Sequence, residues 1–155
     1  MMLKLIKSCH CVGEANVHLQ FTPKYRRKIF EDEELRTVCE QLFYGIAERL
    51  GVRLAGLGFG PDHVHLFVAG CKNYGAAELA RKFKGVSSRL LRKNHWARLK
   101  AKELYGDSLW SGGYFYRYVG AVTNETMKKY VQESQSKHWQ AHEPTNTQTT
   151  LLQFN

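Results

Sequence analysis

The sequence predicts an α+β fold, a ferredoxin-like or RRM-like antiparallel sheet with the element order βαββαβα and its helices on one face. Three observations lead to this fold class. A strand of alternating apolar and polar residues precedes a long amphipathic helix, and two further strands follow closely enough to form a hairpin. A second helix, a fourth strand and a last helix complete the order. The 155 residues suit one domain, predicted over 1–140, with a polar tail over 141–155.

The first strand and the first helix have the clearest local signals. Val17, Leu19 and Phe21 alternate with polar residues, which is typical of a half-buried strand. Asp32 is well placed to cap a helix that has an acidic first turn and apolar residues at every third or fourth position. Gly51 then ends that helix in the usual C-terminal place.

Turn residues and changes of periodicity divide the rest of the chain. They first predict a hairpin, with a strand over 52–59, a turn at 60–62 and a strand from His63. A helix over about 75–93 and a basic irregular stretch to about 107 follow. The last predicted elements are a strand over 114–119 and a helix that is capped by Thr123 or Asn124 and runs to about 137. The face of the sheet that carries no helix is expected to be open to solvent or to a partner.

The chain has an excess of positive charge, with 23 Lys and Arg against 14 Asp and Glu. Such a surface favours nucleic acid as a partner, because neutralising phosphates releases condensed counterions. No apolar run approaches the ~18 residues of a membrane span, and the N-terminal segment is too short and too charged for a signal peptide. We therefore expect a cytoplasmic protein without a membrane partner. The four cysteines match no zinc-ribbon spacing and are expected to be reduced thiols.

A pair of histidines within a short apolar run is the strongest candidate for a site. Successive side chains of a strand point to opposite faces, so His63 and His65 share one face about 7 Å apart. Two imidazoles on a rigid strand can bind one divalent metal, which needs nitrogens at about 2.0–2.2 Å. A lone histidine is more often a structural residue of a half-exposed strand, but two on the same face favour a metal site.

Two basic clusters are candidates for binding nucleic acid. One follows the first strand, and the other, residues 81–102, contains nine Lys or Arg and no acidic residue. Either cluster alone is as consistent with a solvated surface as with a binding face. Aromatic residues interleaved with them (Tyr25, Trp96 and Tyr105) favour single strands, whose bases stack on aromatic rings. The DNA-binding candidates are Lys24, Arg26, Arg27, Arg81, Lys84 and Arg89.

Tyr130 is a candidate nucleophile in the middle of the last predicted helix. The alternative is that Tyr130 is a core residue of an amphipathic helix. A phenol with a pKa near about 10 is a poor nucleophile at neutral pH, so it needs an activating base or a metal-polarised phosphate. The histidine pair offers that metal, and attack on a phosphodiester would give a phosphotyrosine and a free hydroxyl.

Several separated blocks of the chain form a further pattern: residues 16–28, the strand with His63 and His65, residues 83–89, residues 109–115, Gly120 and residues 129–131. These blocks resemble those of a known family, the HUH single-tyrosine transposases of the smallest bacterial and archaeal insertion sequences. The likeness covers roughly residues 14–139, and its blocks are in the right order.

The resemblance implies a dimer whose two active sites each combine the histidine pair of one subunit with the tyrosine of the other. It implies excision and insertion of single-stranded DNA, with recognition of imperfect hairpins at the element ends and with Mg²⁺ or Mn²⁺ as cofactor. His63 and His65 would be metal ligands, and Tyr130 would take the 5′ phosphate.

One departure from the family pattern concerns the third metal ligand. The family usually has a Gln four residues after the tyrosine, where this chain has Ser134, and Gln135 follows one position later. On a regular helix, position i+5 lies about 140° from Tyr130, whereas Glu133 points closer to it. A π-bulge would bring Gln135 round. We favour Gln135 as the third ligand, with Glu133 or Ser134 as alternatives.

Four other classes of protein share part of this pattern. Phosphoesterases with two His-x-Thr/Ser motifs need a second copy, which the sequence lacks, and hydrolases with His-x-His-x-His need a histidine where Phe67 stands. A non-catalytic single-stranded nucleic-acid-binding module would leave the histidine pair unexplained. A domesticated relative that processes palindromic chromosomal repeats would use the same chemistry on a different substrate.

Overall fold

The computed structural model describes residues 5–8, 10–121, 123 and 125. Its strands and helices are β1 (Ile6–Ser8), β2 (Cys11–Gly13), β3 (Asn16–Phe21), α1 (Glu33–Leu50), β4 (Arg53–Gly60), β5 (His63–Ala69), α2 (Ala76–Asn94), α3 (Trp96–Ala101) and β6 (Phe115–Val119). Short 3₁₀ turns cover Lys24–Arg26 and Ile29–Glu31.

The main sheet has four strands in the order β4-β5-β3-β6, and every neighbouring pair is antiparallel. β3, α1, β4, β5, α2 and β6 therefore follow the predicted βαββαβ order, with β5 inserted between the two parallel strands β3 and β4. The α+β fold class is confirmed. The last predicted helix, with Tyr130, Glu133, Ser134 and Gln135, and the tail over 141–155 lie outside the described residues.

The α1 helix begins and ends where its sequence signals predict. The side chain of Asp32 accepts hydrogen bonds from the backbone N–H groups of Glu34 and Leu35, at 3.0 and 3.1 Å. Gly51 has a φ of 68°, the left-handed conformation that glycine adopts most readily at a helix C-terminus. The buried face of α1 packs with α2 and with the inner side of the sheet in one hydrophobic core.

Two elements were not predicted, the β1–β2 hairpin and α3. The basic stretch after α2 was predicted to be irregular, but residues 96–101 are helical. Most of that stretch is exposed, and its apolar anchor Leu99 is fully buried. Arg98 of α3 pairs with Asp32 at 2.9 Å, so the short helix is attached to the N-terminal end of α1.

The helix-free face of the sheet is not open at β5, contrary to expectation. All seven residues of β5 are buried. β5 is a central strand, and on this face its Phe67 and Ala69 pack with Ala55 and Val119 in a second, smaller apolar cluster. Among the described residues, no helix is long and apolar enough to cross a membrane.

Candidate active site: a histidine pair and a basic cleft

The strand β5 places His63 and His65 side by side, as their spacing predicts. Their ring centroids are 5.1 Å apart and the rings are nearly perpendicular, at 85°. Both side chains are buried, with 2% and 6% of their surface exposed. The pair therefore lies on a rigid, hydrogen-bonded strand in a largely dehydrated position.

In both histidines it is the Nδ1 atom that contacts another side chain near the strand. His63 Nδ1 lies 2.9 Å from Asp62 Oδ1, and His65 Nδ1 lies 3.0 Å from Nε2 of His18 on β3. A metal-binding histidine typically donates its other ring N–H to such a partner, which fixes the tautomer and the ring orientation. The arrangement fits a metal bound through both Nε2 atoms.

His18 is a site residue that the sequence reasoning missed. Its ring lies beside that of His65 and is nearly parallel to it, with centroids 5.2 Å apart and an interplanar angle of 21°. Burial, together with the positive charge of Arg117, lowers the pKa of His18 to about 4. His18 is thus neutral at pH 7, and its Nε2 can accept a hydrogen bond from His65. The polar face of β3 was visible in the sequence, but the register that places His18 beside His65 was not.

Asp62 links His63 to the loop after β3. Its second oxygen, Oδ2, lies 3.1 Å from Nη2 of Arg26. Burial alone would raise the pKa of Asp62, but the hydrogen bond with His63 and the positive charge of Arg26 lower it below its usual value. Asp62 is therefore ionised at neutral pH and is held between a guanidinium and an imidazole.

Gly60 provides the space in which the ring of His63 lies. A Cβ at this position would be 2.6 Å from each ring nitrogen of His63 and closer still to Cε1. Atoms in real structures do not approach a Cβ so closely, so no larger residue fits without moving the imidazole. The sequence indicates Gly60 only as part of a turn, so this second role was also missed.

A basic cleft of about 750 Å³ lies between α2, the turn that contains Lys24, and the segment over 107–112. Among the described residues that line it, Asp107 is the only acidic one. The cations that line it are Lys24, Lys84, Arg89, Arg92 and Lys93. The cleft thus brings together both basic clusters that the sequence indicates.

The six DNA-binding candidates are in different surroundings. Lys24, Lys84 and Arg89 line the cleft. The ammonium group of Lys84 donates to the carbonyls of Ser111 and Gly113 at 2.7 and 3.0 Å, and burial lowers its pKa. The other three pair with carboxylates: Arg26 with Asp62, Arg27 with Glu103, and Arg81 with Glu78.

Comparison with known proteins identifies the family. The model of the family described as IS200-like transposases matches residues 11–134, a span that includes both histidines and Tyr130. The chain belongs to the IS200-like transposase family. It therefore acts on DNA.

A solved structure supports this identification. The transposase is similar to a candidate transposase from Deinococcus radiodurans R1, with 25% sequence identity and a TM-score of 0.64. The similarity covers 86% of this chain and 98% of that one. No protein among the curated ones matches the chain.

Only part of the predicted site of the transposase is within the described residues. The structure brings His63 and His65 together, whereas Tyr130 and Gln135 lie outside the described range. Among the residues that are described, no group of three or more His, Cys, Asp or Glu could hold a metal ion. The metal-ligand roles of His63 and His65, like the predicted third ligand, therefore remain predictions.

Proposed function

We propose that this transposase cleaves and rejoins single-stranded DNA at element ends that carry hairpins, through a 5′-phosphotyrosine intermediate at Tyr130. The observation that carries the proposal is the histidine pair, with Nδ1 of each ring beside another side chain and with Gly60 beneath one of them. The resemblance to HUH single-tyrosine transposases adds the tyrosine. The family match covers Tyr130 as well.

In the proposed reaction, the phenolic oxygen of Tyr130 attacks the scissile phosphorus and loses its proton. The bond between phosphorus and the 3′ oxygen breaks, and that oxygen takes a proton and leaves as a 3′-hydroxyl. The 5′ phosphate stays on the tyrosine. Attack by a 3′-hydroxyl reverses the step and restores a phosphodiester, so the bond energy is conserved and no ATP is needed.

His63 and His65 would hold a divalent cation, Mg²⁺ or Mn²⁺, with Gln135 as the proposed third ligand. When bound, the cation supplies Lewis-acid polarisation of the scissile phosphate. The donor set fits such an ion, because both rings lie on one strand and Asp62 and neutral His18 orient their Nδ1 atoms. The protein's own contribution is to fix these ligands in a buried position.

The basic cleft would bind the DNA backbone. Lys24 and Arg89 line it, and Asp107 is the only acidic residue among the described lining. Each phosphate that these side chains neutralise releases counterions, which favours binding in a salt-dependent way. Arg27 and Arg81 would extend this surface, since their present partners are exposed carboxylates that phosphate can replace.

The assembly proposed for this chemistry is a cytoplasmic homodimer. Each active site would combine the histidine pair of one subunit with Tyr130 of the other. This part of the proposal rests on the resemblance to the HUH transposases.

Formation of a covalent protein–DNA adduct on a denaturing gel tests the proposal. Full-length protein would be mixed with single-stranded DNA that carries either the hairpins flanking its gene or palindromic chromosomal repeats, with Mn²⁺ or with EDTA. We expect an adduct that requires Mn²⁺ and disappears in Tyr130→Phe but persists in Tyr44→Phe, which changes an exposed tyrosine of α1. Tight hairpin binding without any adduct would favour a non-catalytic binding module instead. An adduct on chromosomal palindromes alone would favour a domesticated relative.

A further inference from the structure

We propose that Arg26 and Asp62 are positioning residues for His63, and that Arg26 serves the metal site rather than contacting DNA. The inference rests on the proposed metal site and deepens it. It changes the role that the sequence suggests for Arg26, which was a basic contact to the DNA backbone.

Side-chain contacts run without interruption from the loop to the ring of His63. Nη2 of Arg26 lies 3.1 Å from Oδ2 of Asp62, and Oδ1 of the same carboxylate lies 2.9 Å from Nδ1 of His63. Both carboxylate oxygens are thus used, one on each side. A carboxylate at Nδ1 keeps the proton on that nitrogen and so makes Nε2 the nitrogen that binds a metal.

The loop has an unusual backbone conformation at Tyr25 and Arg26. Tyr25 has a φ of 59° and Arg26 a φ of 52°, the left-handed region that residues with a Cβ rarely adopt. Two such residues in succession persist only where the surrounding structure imposes them, and they cluster at functional sites. An arginine that only faces DNA needs no such backbone, whereas the one at position 26 must reach back to Asp62.

The loop is anchored on both sides of Arg26 by backbone hydrogen bonds. The N–H of Lys24 donates to the carbonyl of Leu109 at 2.8 Å, and the N–H of Phe30 donates to the carbonyl of Pro61 at 3.1 Å. The anchored loop therefore holds the guanidinium of Arg26 beside Asp62. On the far side, Gly60 leaves the room that the ring of His63 occupies.

Neighbouring Arg27 provides a matched control. It is an arginine of the same loop, it is exposed to a similar degree (40% against 44%), and it also pairs with a carboxylate at 3.1 Å. Its partner Glu103 is exposed and is not next to a histidine in the chain. Arg27→Gln therefore removes the same charge and a similar ion pair without touching the contact to His63.

Two measurements on the full-length protein test the proposal. Binding of Mn²⁺ alone, without DNA, would be followed by the electron paramagnetic resonance of the free ion for wild type, Arg26→Gln, Asp62→Asn, Arg27→Gln and His63→Ala. The tautomer of His63 would be read from ¹⁵N-histidine NMR spectra of the metal-free protein. Arg26→Lys tests rescue by a conservative change. Arg26→Gly removes the guanidinium without straining the fold, because glycine adopts the left-handed backbone readily. It therefore shows whether Mn²⁺ affinity falls without a loss of stability.

We expect Asp62→Asn to weaken Mn²⁺ binding by roughly 10–100-fold, as is typical when the hydrogen-bond partner of a metal-binding histidine is changed. Arg26→Gln, one contact further away and partly exposed, is expected to weaken it by roughly three- to tenfold. Arg26→Gly should weaken Mn²⁺ binding as much as Arg26→Gln does, but its melting temperature should be no lower than that of Arg26→Gln. Arg26→Lys should recover part of the Mn²⁺ affinity. Arg27→Gln should bind Mn²⁺ with an affinity within about twofold of wild type. The Nδ1–H tautomer of His63 should predominate in wild type and lose that predominance in Asp62→Asn.

Equal Mn²⁺ affinities for Arg26→Gln and Arg27→Gln, with His63→Ala clearly weaker, would overturn the positioning role and leave the proposed metal site intact. Equal affinities for wild type and His63→Ala would overturn both, because there would then be no metal site for Arg26 to support.

Discussion

Replacing Gly60 with alanine tests how closely the ring of His63 is fitted to the strand beneath it. The new Cβ would lie 2.6 Å from each ring nitrogen, whereas ordinary contacts begin near 3.4 Å. The imidazole must therefore move by about 0.8 Å or more, whereas metal–ligand distances tolerate only about 0.2 Å. The same shift would disturb the 2.9 Å contact between His63 and Asp62.

We expect Gly60→Ala to lower the rate of single-strand cleavage by about 100-fold, the typical effect of a displacement of about 1 Å in a catalytic group. Overpacking should also lower the free energy of unfolding by about 1–3 kcal/mol. The assay is the single-turnover rate of adduct formation with saturating DNA and Mn²⁺, combined with thermal unfolding to show that the variant is folded at the assay temperature.

Gly45→Ala is the matched control, because a Cβ at this exposed position of α1 meets nothing within 4 Å. It should cleave at the wild-type rate and gain about 0.5–1 kcal/mol of stability, since alanine favours a helix over glycine. A folded Gly60→Ala protein that cleaves as fast as wild type would contradict this prediction and show that the position of His63 does not limit the reaction.

Three further predictions concern a helix cap, a loop anchor and the basic cleft. Asp32→Ala should lower the free energy of unfolding by about 1 kcal/mol, as measured by urea unfolding at pH 7. Burial opposes ionisation of Asp32, but hydrogen bonds from the Leu35 N–H and from Arg98 outweigh it and lower the pKa of Asp32. The stability difference between wild type and variant should therefore be full above about pH 4 and vanish as the pH falls through the lowered pKa. Lys84→Met should lower the free energy of unfolding by about 1–3 kcal/mol, because the carbonyls of Ser111 and Gly113 lose their donor. An unchanged melting temperature would show that these hydrogen bonds contribute nothing to stability. Arg89→Gln should weaken binding of single-stranded DNA and reduce the magnitude of the salt slope by about 1, which a titration at several salt concentrations measures; an unchanged slope would place Arg89 outside the DNA path.

Local signals were enough to predict the sheet, the main helices and the histidine pair. The α1 helix follows from a cap at Asp32, a stop at Gly51 and the apolar period between them. Likewise, the alternation of a strand is enough to place His63 and His65 on one face. These features depend on residues that are close together in the sequence, where backbone geometry fixes the relation between them.

The features that were missed depend on contacts between distant segments. His18 reaches His65 only because of the register between β3 and β5, and the pattern of a single strand does not reveal that register. Arg26 contacts Asp62 through a backbone conformation that propensities disfavour. Tertiary packing likewise stabilises α3, since its buried Leu99 compensates for a short and strongly basic helix.

Mass spectrometry of the trapped adduct would show whether Tyr130 is the nucleophile. After cleavage in Mn²⁺, the complex would be digested with nuclease and trypsin, and the peptide over 130–137 would be examined by fragmentation. The account predicts a nucleotide attached through its 5′ phosphate to the oxygen of Tyr130, and none when either His63 or His65 is replaced by alanine. A nucleotide on another residue, attachment through a 3′ phosphate, or an undiminished adduct without the two histidines would contradict it.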